Sequence, residues 1–268
     1  MKAILFDMDG VVYNSETPIP GAAEALAWVR GQGIPHLFVT NTTSRGRAVL
    51  VEKLARFGIP AAESQILTPC VAVAGWLREQ SARGVAVFVP PKALGEFDGI
   101  ACLPEQAESG ADYVVIGDLG ERWDFRTLNR AFRLLHSNPN ATLIALGMTR
   151  FWQAQDGIAL DVAPFVAALE HASGRKALVF GKPAARFFHA AAEHLHVAPE
   201  DVLMVGDDIV TDVGGAQQAG LRGALVKTGK FWPGDLAGEV KPDVVLESVA
   251  ELPARWRLAL SHAEVLDA

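Results

Sequence analysis

Two cysteines in 268 residues are too few for a disulfide framework. Their surroundings also exclude a thiolate metal site, because Cys70 and Cys102 form no Cys-x-x-Cys pair and neither adjoins a histidine. The simplest expectation is two buried thiols in a reducing compartment. Runs of Lys and Arg are missing as well. With 24 basic against 31 acidic residues and a net charge of −7, the chain offers no electrostatic footprint for nucleic acid or an anionic membrane, and neither is expected as a partner. The most apolar stretches, such as Cys70–Leu77, fall far short of the ~18 residues a membrane span needs. Met1 leads straight into an apolar run, without the basic and then apolar regions of a signal peptide, so a cytoplasmic location is expected. Repeats, low-complexity segments and Pro/Ser/Gly linkers are likewise wanting. Any phosphate this acidic chain handles has to be met locally, by a few placed donors or by a metal.

What is present is a globular composition, half hydrophobic and one fifth charged. Short runs rich in Val, Ile and Leu alternate with helical periodicity. Strands are expected at Ala3–Phe6, Pro35–Val39, Ala177–Phe180, Val202–Val205, Ala224–Val226 and Val244–Leu246, with helices at Gly21–Arg30, Ser44–Phe57, Ala184–His194 and Val210–Ala219. A closing helix runs through Trp256. Continuous apolar strands joined by helices imply a parallel sheet covered on both faces. The middle carries its own units: strands Val85–Val89, Tyr113–Ile116 and Thr142–Leu146, and a helix from Phe125 to His136. The expected organisation is therefore an α/β Rossmannoid parallel-sheet core, 1–68 and 177–268, with an inserted α/β cap domain at 69–176.

Ligands of parallel α/β sheets sit beyond the carboxyl ends of the strands, and four such ends carry polar chemistry. They are Asp7-Met8-Asp9-Gly10, Thr40-Asn41-Thr42, Gly181-Lys182-Pro183, and Gly206-Asp207-Asp208 with Asp212 one helical turn on. Burying carboxylates at a strand end is costly unless a cation compensates. Each piece has a plainer alternative. Asp7 and Asp9 could sit in a solvated turn, Lys182 could be a surface lysine at a helix start, and Asp208 and Asp212 could be acids favoured by a helix dipole. Thr40 could be turn chemistry. An EF-hand is excluded because the third acid and the closing Glu are missing. A P-loop is excluded because Pro183 follows Lys182. His189, His194 and His196 match no common zinc spacing and read as a solvated helix face. The pair Phe151-Trp152 reads as core of the insertion.

The four motifs in this order resemble those of the haloacid-dehalogenase-like hydrolases with the larger, type 2 cap, and the resemblance extends over LIALG (143–147), DGIALDVAPFVAALEHASG (156–174), GDDIVTDVGGAQQAG (206–220) and KTGKFWPGD (227–235). It implies a Mg²⁺-dependent phosphatase with Asp7 as the nucleophile and Asp9 as the acid and then the base. Asp9 also separates phosphatases from the dehalogenase branch, since a halide leaves without a proton. The resemblance further implies Asp7, Asp207 and the Asp9 backbone carbonyl as metal ligands, with Asp208 beside them and Asp212 orienting Lys182. Lys182, Thr40 and the backbone at Asn41, with Thr42, would hold the phosphoryl oxygens. Pro183 is expected in the first turn of the following helix. A loop of the insertion, Gly147–Trp152 with Arg150, is expected to contact substrate. Substrates implied are small: phosphoramidates such as phosphohistidine or phospholysine, pyrophosphate, or phosphomonoesters. Family habit allows a homodimer through the insertion. A phosphate-sensing module without catalysis, or a phosphotransferase, stands as the alternative.

Overall fold

The five residues Ala3–Asp7 are buried without exception, as a strand needs to be when both faces of its sheet are covered. The computed structural model describes residues 1–154 and 157–256, and the side chains of Trp152, Gln153 and Ala154 also lie outside the described set. The Trp152 side chain of the expected substrate loop, Asp156, and the end of the expected core segment after Trp256 thus fall outside it. The chain divides into two compact units.

Among the described residues the first unit comprises 1–40, 50–67 and 182–256. Its sheet has six parallel strands in the spatial order Val244–Leu246, Arg222–Val226, Val202–Gly206, Ala3–Asp7, His36–Val39, Ile66–Leu67. The first strand lies inside the sheet, and the order reverses there, which opens a crevice at its carboxyl end. Ile4, Phe6 and Phe38 on the strands pack with Leu26 and Val29 of the helix Ala22–Gly31. That helix buries Ala22, Ala25, Leu26 and Val29, the i, i+3, i+4, i+7 stripe of an amphipathic helix.

The second unit comprises 41–49 and 68–181. Its four-stranded parallel sheet runs Leu178–Val179, Thr142–Ala145, Tyr113–Ile116, Val85–Phe88. Residues 41–49 are tied into it, since Asp118 N–H donates to Thr43 Oγ1 at 3.0 Å and the Arg47 guanidinium pairs with Glu96 at 2.8 Å. A separate antiparallel ribbon pairs Phe151–Ala154 with Gly157–Leu160.

Four expectations need correcting. The apolar run at 177–180 is expected in the first sheet, yet Leu178–Val179 pairs with Thr142–Ala145 of the second unit. Its approach is set by the preceding residues: Arg175 donates to the carbonyls of Ala141, Leu135 and Asn138, and Ala177 N–H donates to Glu170. Phe151, expected in the core of the insertion, is 53% exposed on the ribbon, its ring 5.8 Å from the Arg150 guanidinium. Cys70 is buried, but Cys102 is exposed, because it lies in an extended segment whose backbone alone bridges to Val85. The expected helix Val210–Ala219 begins as a wider turn, with Val213 N–H reaching back to Asp208 O, and only Gly215–Gln218 is regular α-helix.

Candidate active site

The carboxyl ends of neighbouring strands in the first unit deliver Asp7, Thr40 and Asp207 to one edge of the sheet. Asp7, Asp207 and Asp212 are all buried and offer carboxylate oxygens within 4.8 Å of one another. Three acids cannot all stay ionised there without positive charge. Part of it is the ammonium of Lys182, 4% exposed, which lies 2.7 Å from Asp7 Oδ1 and 2.7 Å from Asp212 Oδ1. Burial alone would lower the lysine's pKa, but the charges of Asp212 and Asp7 outweigh it and hold the group protonated.

One ammonium does not balance the cluster. Burial, then the charges of Asp7 and Asp212, push Asp207 up to about 7. Asp212 is raised to about 6, by burial foremost and with the neighbouring Lys182 opposing. Asp207 Oδ2 accepts the Lys230 backbone N–H at 2.8 Å, whereas its Oδ1 is buried without a hydrogen-bond partner among the described residues. A buried carboxylate oxygen with no partner, beside two further carboxylates, is the donor set a hard divalent cation takes. These residues can hold a metal ion.

Asp208 has a different task. Its Oδ1 accepts N–H groups from Val210 and Thr211, closing the first turn of the following helical segment, and its own N–H donates to Asp212 Oδ2 at 3.2 Å. Burial works against its charge, yet those N–H groups and the Lys230 ammonium, 3.4 Å away, hold its pKa below the ordinary value. Asp9 is not among the clustered carboxylates. Its side chain is exposed, and its Oδ1 accepts the Ser15 N–H at 3.2 Å. Thr40 ends its strand with its N–H on Leu67 O. Asn41, Thr42 and Arg150 belong to the second unit, where Arg150 is exposed. Pro183 does not enter the helix, which begins at Ala185, and the Lys182–Pro183 peptide is cis. His189, His194 and His196 are exposed and join no metal-ligating group among the described residues.

The motif reading missed the turn Thr228-Gly229-Lys230, which touches Asp207 and the Gly10 carbonyl. Its signal was available. The turn directly follows the strand Arg222–Val226, at the same sheet edge as the other motifs.

Known proteins match this arrangement along nearly the whole chain. Family models described as haloacid dehalogenase-like hydrolase and HAD-hydrolase-like match residues 4–100 and 179–252. The phospholysine phosphohistidine inorganic pyrophosphate phosphatase of Homo sapiens is 37% identical over 98% of this chain and 96% of its own. Haloacid dehalogenase-like hydrolase domain-containing protein 2 of Bos taurus is 40% identical over 88% of this chain and 87% of its own. Among solved structures, the p-nitrophenyl phosphatase from Archaeoglobus fulgidus superposes with a TM-score of 0.85 at 28% identity, covering 94% of this chain and 97% of that one. Fold, acid cluster and buried lysine together with these matches define a phosphatase built on a parallel α/β sheet. The chain belongs to the haloacid dehalogenase-like hydrolases.

Proposed function

We propose that this phosphatase is Mg²⁺-dependent and works through an aspartyl phosphate on Asp7. The observation that carries the reading is Asp7 itself: a buried carboxylate held by the Lys182 ammonium at 2.7 Å, within a cluster where Asp207 presents an unpartnered buried oxygen. An Asp7 carboxylate oxygen attacks phosphorus and the bond to the leaving oxygen or nitrogen breaks, while Asp9 supplies the departing group with a proton. Water then attacks the phosphoryl group, giving a proton to Asp9, and the bond to Asp7 breaks to release inorganic phosphate. Lys182, with Thr40 and the Asn41–Thr42 backbone, holds the phosphoryl oxygens as charge spreads over them. Asp7, Asp207 and the Asp9 carbonyl would hold Mg²⁺, and Asp208 and Asp212 would position their neighbours. When bound, the ion supplies positive charge between an anionic nucleophile and an anionic substrate.

The substrates in this reading are small phosphorylated compounds: phosphoramidates, pyrophosphate or phosphomonoesters. The names of the human relative and of the archaeal structure support that range. Arg150 is read as a substrate-selecting residue, on family resemblance alone. A cytoplasmic homodimer is part of the same reading, and sedimentation gives its mass.

Phosphate release from p-nitrophenyl phosphate, phosphohistidine and pyrophosphate, with Mg²⁺ and in chelator, tests the whole. Asp7→Asn should abolish turnover and leave the far-UV circular dichroism unchanged; near-normal hydrolysis by that variant would refute the nucleophile. Arg150→Ala should reorder the kcat/KM values across the panel, and an unchanged order would remove Arg150 from the site.

A further inference from the structure

We infer that the turn Thr228-Gly229-Lys230 is a positioning element which decides which oxygen of Asp207 is offered to the cation; the inference rests on the metal-dependent reading above. The strand Arg222–Val226 lies beside Val202–Gly206, so the residues that follow the one fold over the end of the other. There the Lys230 backbone N–H takes Asp207 Oδ2 at 2.8 Å, and Oδ1 remains as the oxygen without a partner. The turn thus divides a symmetric carboxylate into one bonded and one available oxygen, as groups behind metal ligands commonly do.

Steric enclosure keeps that division from relaxing. A Cβ on Gly10 would come within 2.1 Å of Asp207 Oδ2, and one on Gly229 within 2.2 Å of the same atom and 2.6 Å of Gly10 Cα. Both glycines have positive φ, +84° and +74°, a conformation that side chains disfavour. The Thr228 hydroxyl donates to the Gly10 carbonyl and fastens the turn to the loop that follows Asp7 and Asp9. The loops after three neighbouring strands therefore interlock around one carboxylate. Asp207 is aimed by the turn across from it, not by its own strand.

Gly58 supplies an internal control. Its φ is also +74°, but nothing lies within 4 Å of its would-be Cβ, so alanine there brings the same backbone strain and no intrusion on Asp207. The experiment is a titration of chelator-treated full-length protein with Mg²⁺, and separately Mn²⁺, read by calorimetry and by the rise in Tm. Gly229→Ala should raise the cation Kd about tenfold or more. Thr228→Val, which introduces no backbone strain, should raise it several-fold. Gly58→Ala should lower Tm while leaving Kd within about twofold of wild type. Should Gly229→Ala fail to fold, Thr228→Val decides. Wild-type affinity in both turn variants, or an equal loss in Gly58→Ala, would overturn the inference while the functional reading stands. A wild-type protein that takes up neither ion would fail the functional reading, and the inference with it.

Discussion

Lys182 and Asp7 stand 175 residues apart in the chain and 2.7 Å apart in the fold, both buried. Asp212, in the helical segment Ile209–Gly214, meets the same ammonium, also at 2.7 Å. A buried charge with two buried counter-charges is mechanically informative, because removing the centre leaves two carboxylates facing each other in a poorly solvated place.

Lys182→Met is therefore expected to destabilise the metal-free protein by about 3–5 kcal/mol, measured by urea unfolding. Adding Asp7→Asn to it should recover part of the loss, since one of the stranded charges is then gone. Turnover should fall about a hundredfold or more at the same time. A lysine serving only as surface charge would leave the unfolding midpoint where it was.

Asp207 makes the metal-free protein sensitive to pH in a definite direction. A carboxyl raised from 3.8 to about 7 on folding binds its proton more tightly in the native state than in the unfolded one. Its contribution is complete below about pH 4 and is lost as pH rises through about 7. In chelator, Tm should fall between pH 5 and pH 8. Mg²⁺ should stabilise more at pH 8 than at pH 5, because at pH 5 it has to displace a proton. A pH-independent effect of Mg²⁺ on Tm would contradict this assignment.

The two thiols should separate cleanly. Burial, then the charge of Glu96, pushes the Cys70 thiol up to about 12, and the side chain is inaccessible. Cys102 is exposed, although partial burial and Asp98 raise its pKa too. A disulfide reagent should titrate one thiol in the native protein and two in denaturant, with Cys102→Ser abolishing the native reaction.

Arg175 is the anchor that draws the strand Leu178–Val179 to its sheet. Its guanidinium donates to the carbonyls of Ala141, Leu135 and Asn138. Arg175→Ala should destabilise by about 2–4 kcal/mol, because three partly buried carbonyls lose charged donors. Arg175→Lys should recover less than half, since one ammonium does not reproduce the fork. Hydrogen exchange at Leu178 and Val179 should accelerate in both variants.

Much of the first unit was readable in advance because a doubly covered parallel strand has to be an apolar run. Ala3–Asp7 and Val202–Gly206 announce themselves in that way. Ile66–Leu67 did not, being two residues long at the sheet edge, and the ribbon Phe151–Leu160 carries no sharp alternation. The acids and the lysine of the site were legible by type and order. The place of Thr228, Gly229 and Lys230 after the strand Arg222–Val226 was legible, but their task was not, because it depends on a backbone N–H, a glycine without bulk and a hydroxyl whose partners come from distant loops.

Local chemistry in the sequence determined which residues end the strands, and hence that several carboxylates and one lysine would need a common cation. The fold alone decided which sheet takes the run at 178–179, that Lys182 reaches Asp7 and Asp212 together, and which oxygen of Asp207 is tied down. The reason is physical: periodicity and burial act over a few neighbouring residues, whereas these choices depend on which distant backbone groups and charges arrive in the same few ångströms.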